Sequence, residues 1–177
     1  LNQLLLLNLA IVLISTSGAL GKYIDMPVPA LIWWRCIIAL GLLFGYCKYK
    51  KISLKLHRKQ DWPSFIWSAL FMGGHWISYF YSLKLSNVAI ALLSLYTYPI
   101  ITALLEPLFF KSKLDRVHLF LGGLVLLGIF VLAPELELES SYTQGILLGL
   151  LSAICLALRT LIIKQHEATN NGTMLMV

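Results

Sequence analysis

Two apolar stretches, residues 62–83 and 88–110, carry the side chains best suited to chemistry. In the first, Ser68, His75, Ser78, Tyr79 and Ser82 fall on one side at helical spacing. In the second, Ser94, Tyr98, Thr102 and Glu106 repeat every fourth residue, with Pro99 and Pro107 interrupting the backbone ladder. Hydroxyls and an imidazole in that pattern can pass a polar solute from one partner to the next. His75 can also take up a proton within the physiological range, and Glu106 offers a second carrier. The chemistry indicated is guided passage of something polar rather than bond cleavage. His75 beside a serine would be the site of an intramembrane enzyme, but neither Gly-x-Ser-x-Gly nor His-Glu-x-x-His occurs.

These stripes need a scaffold, and the composition names its class. Hydrophobic residues make up 59% of the chain and charged residues 12%, against about 25% charged in soluble domains. The mean hydropathy is +0.81. About twenty apolar residues at a 1.5 Å rise cross the roughly 30 Å hydrocarbon core of a bilayer. The runs are continuous, without the alternation that a membrane β-barrel requires. The fold class is therefore all-α, a polytopic bundle of transmembrane helices.

Six spans are expected, at residues 4–24, about 30–46, 62–83, 88–110, 117–133 and 145–163, with a seventh beginning at the end of the chain. Ser86-Asn87 makes a tight turn that sets the third and fourth spans antiparallel and side by side, their polar faces meeting near mid-membrane. Ile77, Phe80 and Leu83 are expected on the opposite face of the third span. Asp61-Trp62-Pro63 is a helix-start signal, and Asp115 can cap the fifth span. Gly41 and Gly45 in the second span, and Gly122, Gly123 and Gly128 in the fifth, mark close helix approach. Residues 135–143 form an acidic loop, the only shift in composition. The chain opens at Leu1 and stops as a new apolar run appears, so it reads as a fragment with little missing in front and much behind.

The net charge of +6 does not indicate nucleic acid, because most Lys and Arg lie in short segments between apolar runs. The loops after the second, fourth and sixth spans hold six, three and one such residues. Those after the first and third hold Lys22 and Lys84, and the one after the fifth holds none. This bias puts the N-terminus in the cytoplasm of a multi-pass cell-membrane protein. Trp33, Trp34 and Trp62 suit interfacial belts. Cys36, Cys47 and Cys155 read as buried small hydrophobes, with no metal site or disulfide framework indicated. No nucleotide-binding Gly-Lys-Ser/Thr signature is present, and no cofactor is expected.

Several segments in order resemble a known pattern. They are Ser17-Gly-Ala-Leu-Gly-Lys-Tyr, Trp33-Trp-Arg-Cys, Tyr79-Phe-Tyr-Ser-Leu-Lys-Leu-Ser-Asn-Val-Ala, Tyr98-Pro-Ile-Ile-Thr-Ala-Leu-Leu-Glu-Pro-Leu-Phe and Gly122-Gly-Leu-Val-Leu-Leu-Gly. Together they resemble the EamA-type transporters of the drug/metabolite transporter superfamily. A Glu-Arg-Leu that many relatives carry after the fourth helix is replaced here by Lys111-Ser-Lys-Leu. The resemblance implies ten helices in two inverted five-helix repeats around a central site. Residues 1–133 would be the first repeat, 134–143 an external linker, and 144–177 the start of the second.

Function then reads as secondary transport, by export or exchange and alternating access, of a small polar metabolite. The alternatives are an intramembrane enzyme and a non-transporting scaffold. The pathway candidates are His75, Ser78, Tyr79, Ser82, Ser94, Tyr98, Thr102 and Arg35, with Pro99 as hinge and His75 or Glu106 for coupling. Each has a plainer reading. His75 and Tyr79 can be packed aromatics bonded to a neighbouring helix, Arg35 and Arg159 can snorkel to the interface, and Glu106 can pair with Lys111 or Lys113. Expected partners are the solute, the bilayer and the missing C-terminal half, with a homodimer as an open arrangement.

Overall fold

The computed structural model describes residues 2–51, 62–110, 116–132 and 140–170. The described residues form seven helices and no strand: α1 (Asn2–Tyr23), α2 (Val28–Tyr49), α3 (Trp62–Leu85), α4 (Val88–Leu95), α5 (Tyr98–Phe110), α6 (Arg116–Leu132) and α7 (Ser141–Asn170). The all-α class is as the sequence indicates. Three helical stretches among the described residues are long and apolar enough to cross a bilayer: Val28–Tyr49, Val88–Phe110 and Ser141–His166. α3 has 24 residues, about 36 Å at 1.5 Å per residue; its serines and His75 lower its hydropathy.

Packing is arranged around α3 and α7, which run antiparallel with the most extensive contact in the molecule. α7 earns this position through small residues at every fourth place. Gly145, Gly149, Ala153 and Ala157 face inward, both alanines being fully buried. Such a stripe lets neighbouring backbones approach closely where lipid supplies no hydrophobic drive between helices. A Cβ at Gly145 would lie 2.6 Å from Ser86 Cβ, and one at Gly149 2.5 Å from Ser94 Cβ. The outer faces of α1, α2 and α6 remain apolar and exposed, with Leu5, Leu42 and Phe120 all above 60% accessible, as suits contact with acyl chains.

The fourth expected span is split. α4 ends at Leu95, Tyr96 N–H still reaches Leu92 C=O (2.8 Å), and a tighter turn carries Thr97 N–H to Ser94 C=O (3.3 Å). α5 restarts at Tyr98, with Thr97 C=O accepting from Ile100 and Ile101 N–H. Pro99 causes the break, because it offers no N–H to Leu95 C=O and instead occupies the first turn of α5, where none is needed. Pro107 breaks nothing, since α5 continues through it. Asn87 starts α4 by accepting Ile90 N–H at its Oδ1 (2.8 Å).

Other expectations are corrected. α7 begins at Ser141, four residues before the expected start at Gly145. Phe80 (2% exposed) and Leu83 (0%) are core residues, a burial that their expected place away from the polar face left open. Gly122 meets Ile100, but Gly41, Gly45 and Gly123 have open space where a Cβ would stand. Cys47 is buried, Cys155 half-buried, and Cys36 exposed. Lys111, Lys113 and Asp115, the basic loop beyond Lys51, Asp61 and the start of a seventh span lie outside the described residues.

Two lysines on the same side of the bundle join the helix ends. Lys22 on α1 donates to Ser86 C=O at the end of α3 (2.5 Å). Lys84 on α3 donates to Met26 C=O, and to Ile24 C=O (3.3 Å), beyond the end of α1. Each helix thereby caps the other's terminal carbonyls.

Candidate functional site: a polar seam beside a broken helix

His75 projects from the middle of α3 toward α7. Its Nδ1 lies 2.8 Å from Ser152 Oγ and 3.3 Å from Ser152 C=O, while Ser152 Oγ–H donates back to His75 C=O at 3.0 Å. Two turns along α3, Ser82 Oγ–H donates to Gly145 C=O (2.6 Å). Ser78 stays within its helix, donating to Gly74 C=O (2.6 Å). The polar face of α3 is therefore turned to α7. All three hydroxyls and the imidazole are buried, and each has a partner, as a bilayer interior demands.

Ser94 completes the seam from α4. It is fully buried against Gly149, close to Ser82. Among the described residues its Oγ finds no hydrogen-bond partner, one residue before the helix ends. Thr97, in the break, is also buried and donates to Ser94 C=O (2.7 Å). The expected meeting of the α3 and α4 polar faces takes place at Ser82 and Ser94, with α7 completing it.

Not every candidate joins. Tyr79 stacks on His75, ring centroids 6.2 Å apart, and meets Phe80 edge-on at 5.6 Å. Thr102 donates to Tyr98 C=O within α5 (2.7 Å), and nothing brings Tyr98 or Thr102 to His75. Glu106 forms an ion pair with Lys164 of α7 (2.5 Å). Arg35 lies over two aromatic faces of α3, its guanidinium carbon 5.5 Å from the Trp76 ring centre and 5.1 Å from that of Phe80. That is a cation–π seat, inward from the interface it was free to reach.

Two residues were missed. Ser152 is the direct partner of His75, and the small-residue stripe of α7 was the available signal. Arg159, expected to snorkel, has its Nε buried without a partner among the described residues, about two turns inside the apolar stretch that ends at His166.

Comparison with known proteins decides the family. The model for the EamA-like transporter family matches residues 1–133. The chain belongs to that family. It is 25% identical over 164 residues to the uncharacterized transporter YxxF of Bacillus subtilis (strain 168), covering 88% of this chain and 51% of the relative. It is also 25% identical over 164 residues to an uncharacterized transporter of Helicobacter pylori strain J99, covering 93% of this chain and 54% of that protein. The chain thus spans about half the length of the curated relatives it matches. No solved structure matches it. Family and helices together make this a multi-pass membrane protein.

Proposed function

We propose that the protein is a secondary active transporter of a small polar metabolite, an exporter or exchanger, working by alternating access. The observation that carries this is the split span Val88–Phe110. Its break places a buried, unbonded Ser94 hydroxyl beside Ser82, two turns along α3 from His75. Non-helical backbone at membrane depth is tolerated where protein or an aqueous cavity covers it, and transporters build solute sites from such discontinuous helices. In the conformation described the seam is closed by Gly145 and Gly149; opening it means parting α7 from α3 and α4. His75 would exchange its bond to Ser152 for one to the solute, Ser94 would supply a free hydroxyl, and the Pro99 break would serve as hinge.

The reading includes two inverted five-helix repeats, of which α1–α6 form the first (α4 and α5 counting as one span) and α7 opens the second. It also puts the N-terminus in the cytoplasm. The charge bias supports that orientation, and Lys22 and Lys84, its two exceptions, are both engaged with helix-end carbonyls.

Flux into proteoliposomes tests the proposal. His75→Ala and Tyr79→Phe should each lower it at least tenfold with insertion unchanged, and Ser94→Ala should lower it without unfolding the protein. Ile77→Leu, on an exposed part of α3, is the control. Wild-type flux from both His75→Ala and Ser94→Ala would remove the seam from the pathway, and wild-type flux from Tyr79→Phe would remove the ring stacked on His75.

A further inference from the structure

Between α1 and α2 lies a second feature, separate from the seam. An open groove of about 470 Å³ is lined by residues that include Thr16, Leu20, Leu31, Trp34, Arg35 and Ile38. Arg35 is the one charged residue in a wall that is otherwise almost wholly apolar. The volume falls within the roughly 300–1,000 Å³ of small-molecule sites, which pair apolar walls with few polar groups.

Arg35 is both fixed and incomplete. Trp76 and Phe80 hold its guanidinium from below, and Phe80 is itself pinned against α1, where any Cβ on Gly21 would overlap its ring. Among the described residues Arg35 makes no hydrogen bond or ion pair, and Asp25, the acidic residue nearest in sequence, makes no ion pair either. An intramembrane Arg costs about 2.5–3.5 kcal/mol on insertion scales, and exposed cation–π contacts return only about 0.5–1 kcal/mol each. The five N–H donors of a guanidinium need an acceptor, and a carboxylate takes two of them at once.

We infer that the α1–α2 groove binds a compact organic acid, its carboxylate on Arg35 and its apolar body between Leu20, Leu31 and Trp34. The inference rests on the transport reading for its purpose, since it names the solute class. Binding itself is measurable without transport. The groove is open at Leu20, Trp34 and Ile38, so an anionic lipid headgroup is the competing occupant that the test separates from a soluble acid.

The test uses purified protein in phosphatidylcholine nanodiscs, with empty discs as blank. The probes are tritiated 2-naphthoate and its neutral isostere 2-naphthamide. The acid should bind at least tenfold more tightly than the amide. Arg35→Gln should erase that preference while leaving the amide within twofold, which also shows that the groove survives. Leu20→Trp, which fills the groove and keeps the charge, should weaken both probes at least tenfold. Equal affinity for acid and amide in the wild type, unchanged acid binding in Arg35→Gln, or normal binding in Leu20→Trp would each overturn the assignment. Displacement of the acid by 20 mol% phosphatidylglycerol would overturn it in favour of a lipid headgroup. Binding of the acid without its counterflow would defeat the transport reading and leave the groove assignment standing. Flux of other solutes without acid binding would do the reverse.

Discussion

Adding a single methyl group at Gly149 tests the packing on which the seam depends. An alanine Cβ there would lie 2.5 Å from Ser94 Cβ and 3.2 Å from Ser82 Oγ, whereas carbon atoms in contact prefer about 3.5–4.0 Å. Ser94 Cβ is one bond from the α4 backbone, so rotating a side chain cannot relieve the clash. α4 and α7 must separate by about 1 Å along a face that is fully buried. Overpacking of this kind costs about 1–3 kcal/mol. Gly→Ala also changes helix propensity by about 1 kcal/mol, so the comparison is with Gly73→Ala on α3, where a Cβ meets nothing within 4 Å. Both variants carry the same propensity gain, and their difference isolates the contact. In SDS titration of the purified protein, Gly149→Ala should be less stable than Gly73→Ala by about 1–3 kcal/mol, roughly 5- to 150-fold in the unfolding equilibrium. Ser94→Gly in the Gly149→Ala background should recover most of the loss, because it removes the atom being struck. Equal stability of the two alanine variants, or no recovery in the double variant, would refute the close α4–α7 contact.

Other expectations concern the ends of the helices and the orientation. Asn87→Ala removes the acceptor for Ile90 N–H and should destabilise the protein by about 1 kcal/mol, while Asn87→Asp should be nearly neutral in the same titration. Glu106→Gln should cost no more than about 1 kcal/mol, because the partners are 31% and 53% exposed, and the exchanged pair Glu106→Lys with Lys164→Glu should restore what is lost. Reporter fusions should read cytoplasmic within residues 48–59 and external within residues 135–139; the reverse pattern would overturn the orientation.

The helices were legible in the sequence because length and continuous hydropathy are local properties. Pro99 was legible as an interruption, but a proline alone does not distinguish a kink from a break. Thr97 marks the break, its hydroxyl and N–H both donating to Ser94 C=O while its own carbonyl accepts from Ile100 and Ile101 N–H. His75, Ser82 and Ser94 could be recognised as one polar system from their spacing. Their partner could not, because the pairing of α3 with α7 depends on a stripe of Gly and Ala that reads, residue by residue, as ordinary apolar helix. The burial of Phe80 was not legible for a related reason: a helical wheel separates polar from apolar faces but does not reveal that both are covered. Arg35 read first as an anchor near the interface, and only the position of the Trp76 and Phe80 rings beneath it shows where it is seated.

The His75–Ser152 pair also sets an order of events during synthesis. Its members lie 77 residues apart in the chain, and ribosomes add roughly 5–20 residues per second. For about 4–15 s after α3 is made, its imidazole and its Ser82 hydroxyl therefore have no α7 to bond. The nascent helix must shelter these groups against water, another polar span or an insertion chaperone. α3 and α4 can meet early through their two-residue turn, but the bundle closes only when the stripe from Gly145 to Ala157 arrives. Variants that weaken α7 should therefore appear first as polypeptide cleared by membrane quality control, before any mature protein can be assayed for flux.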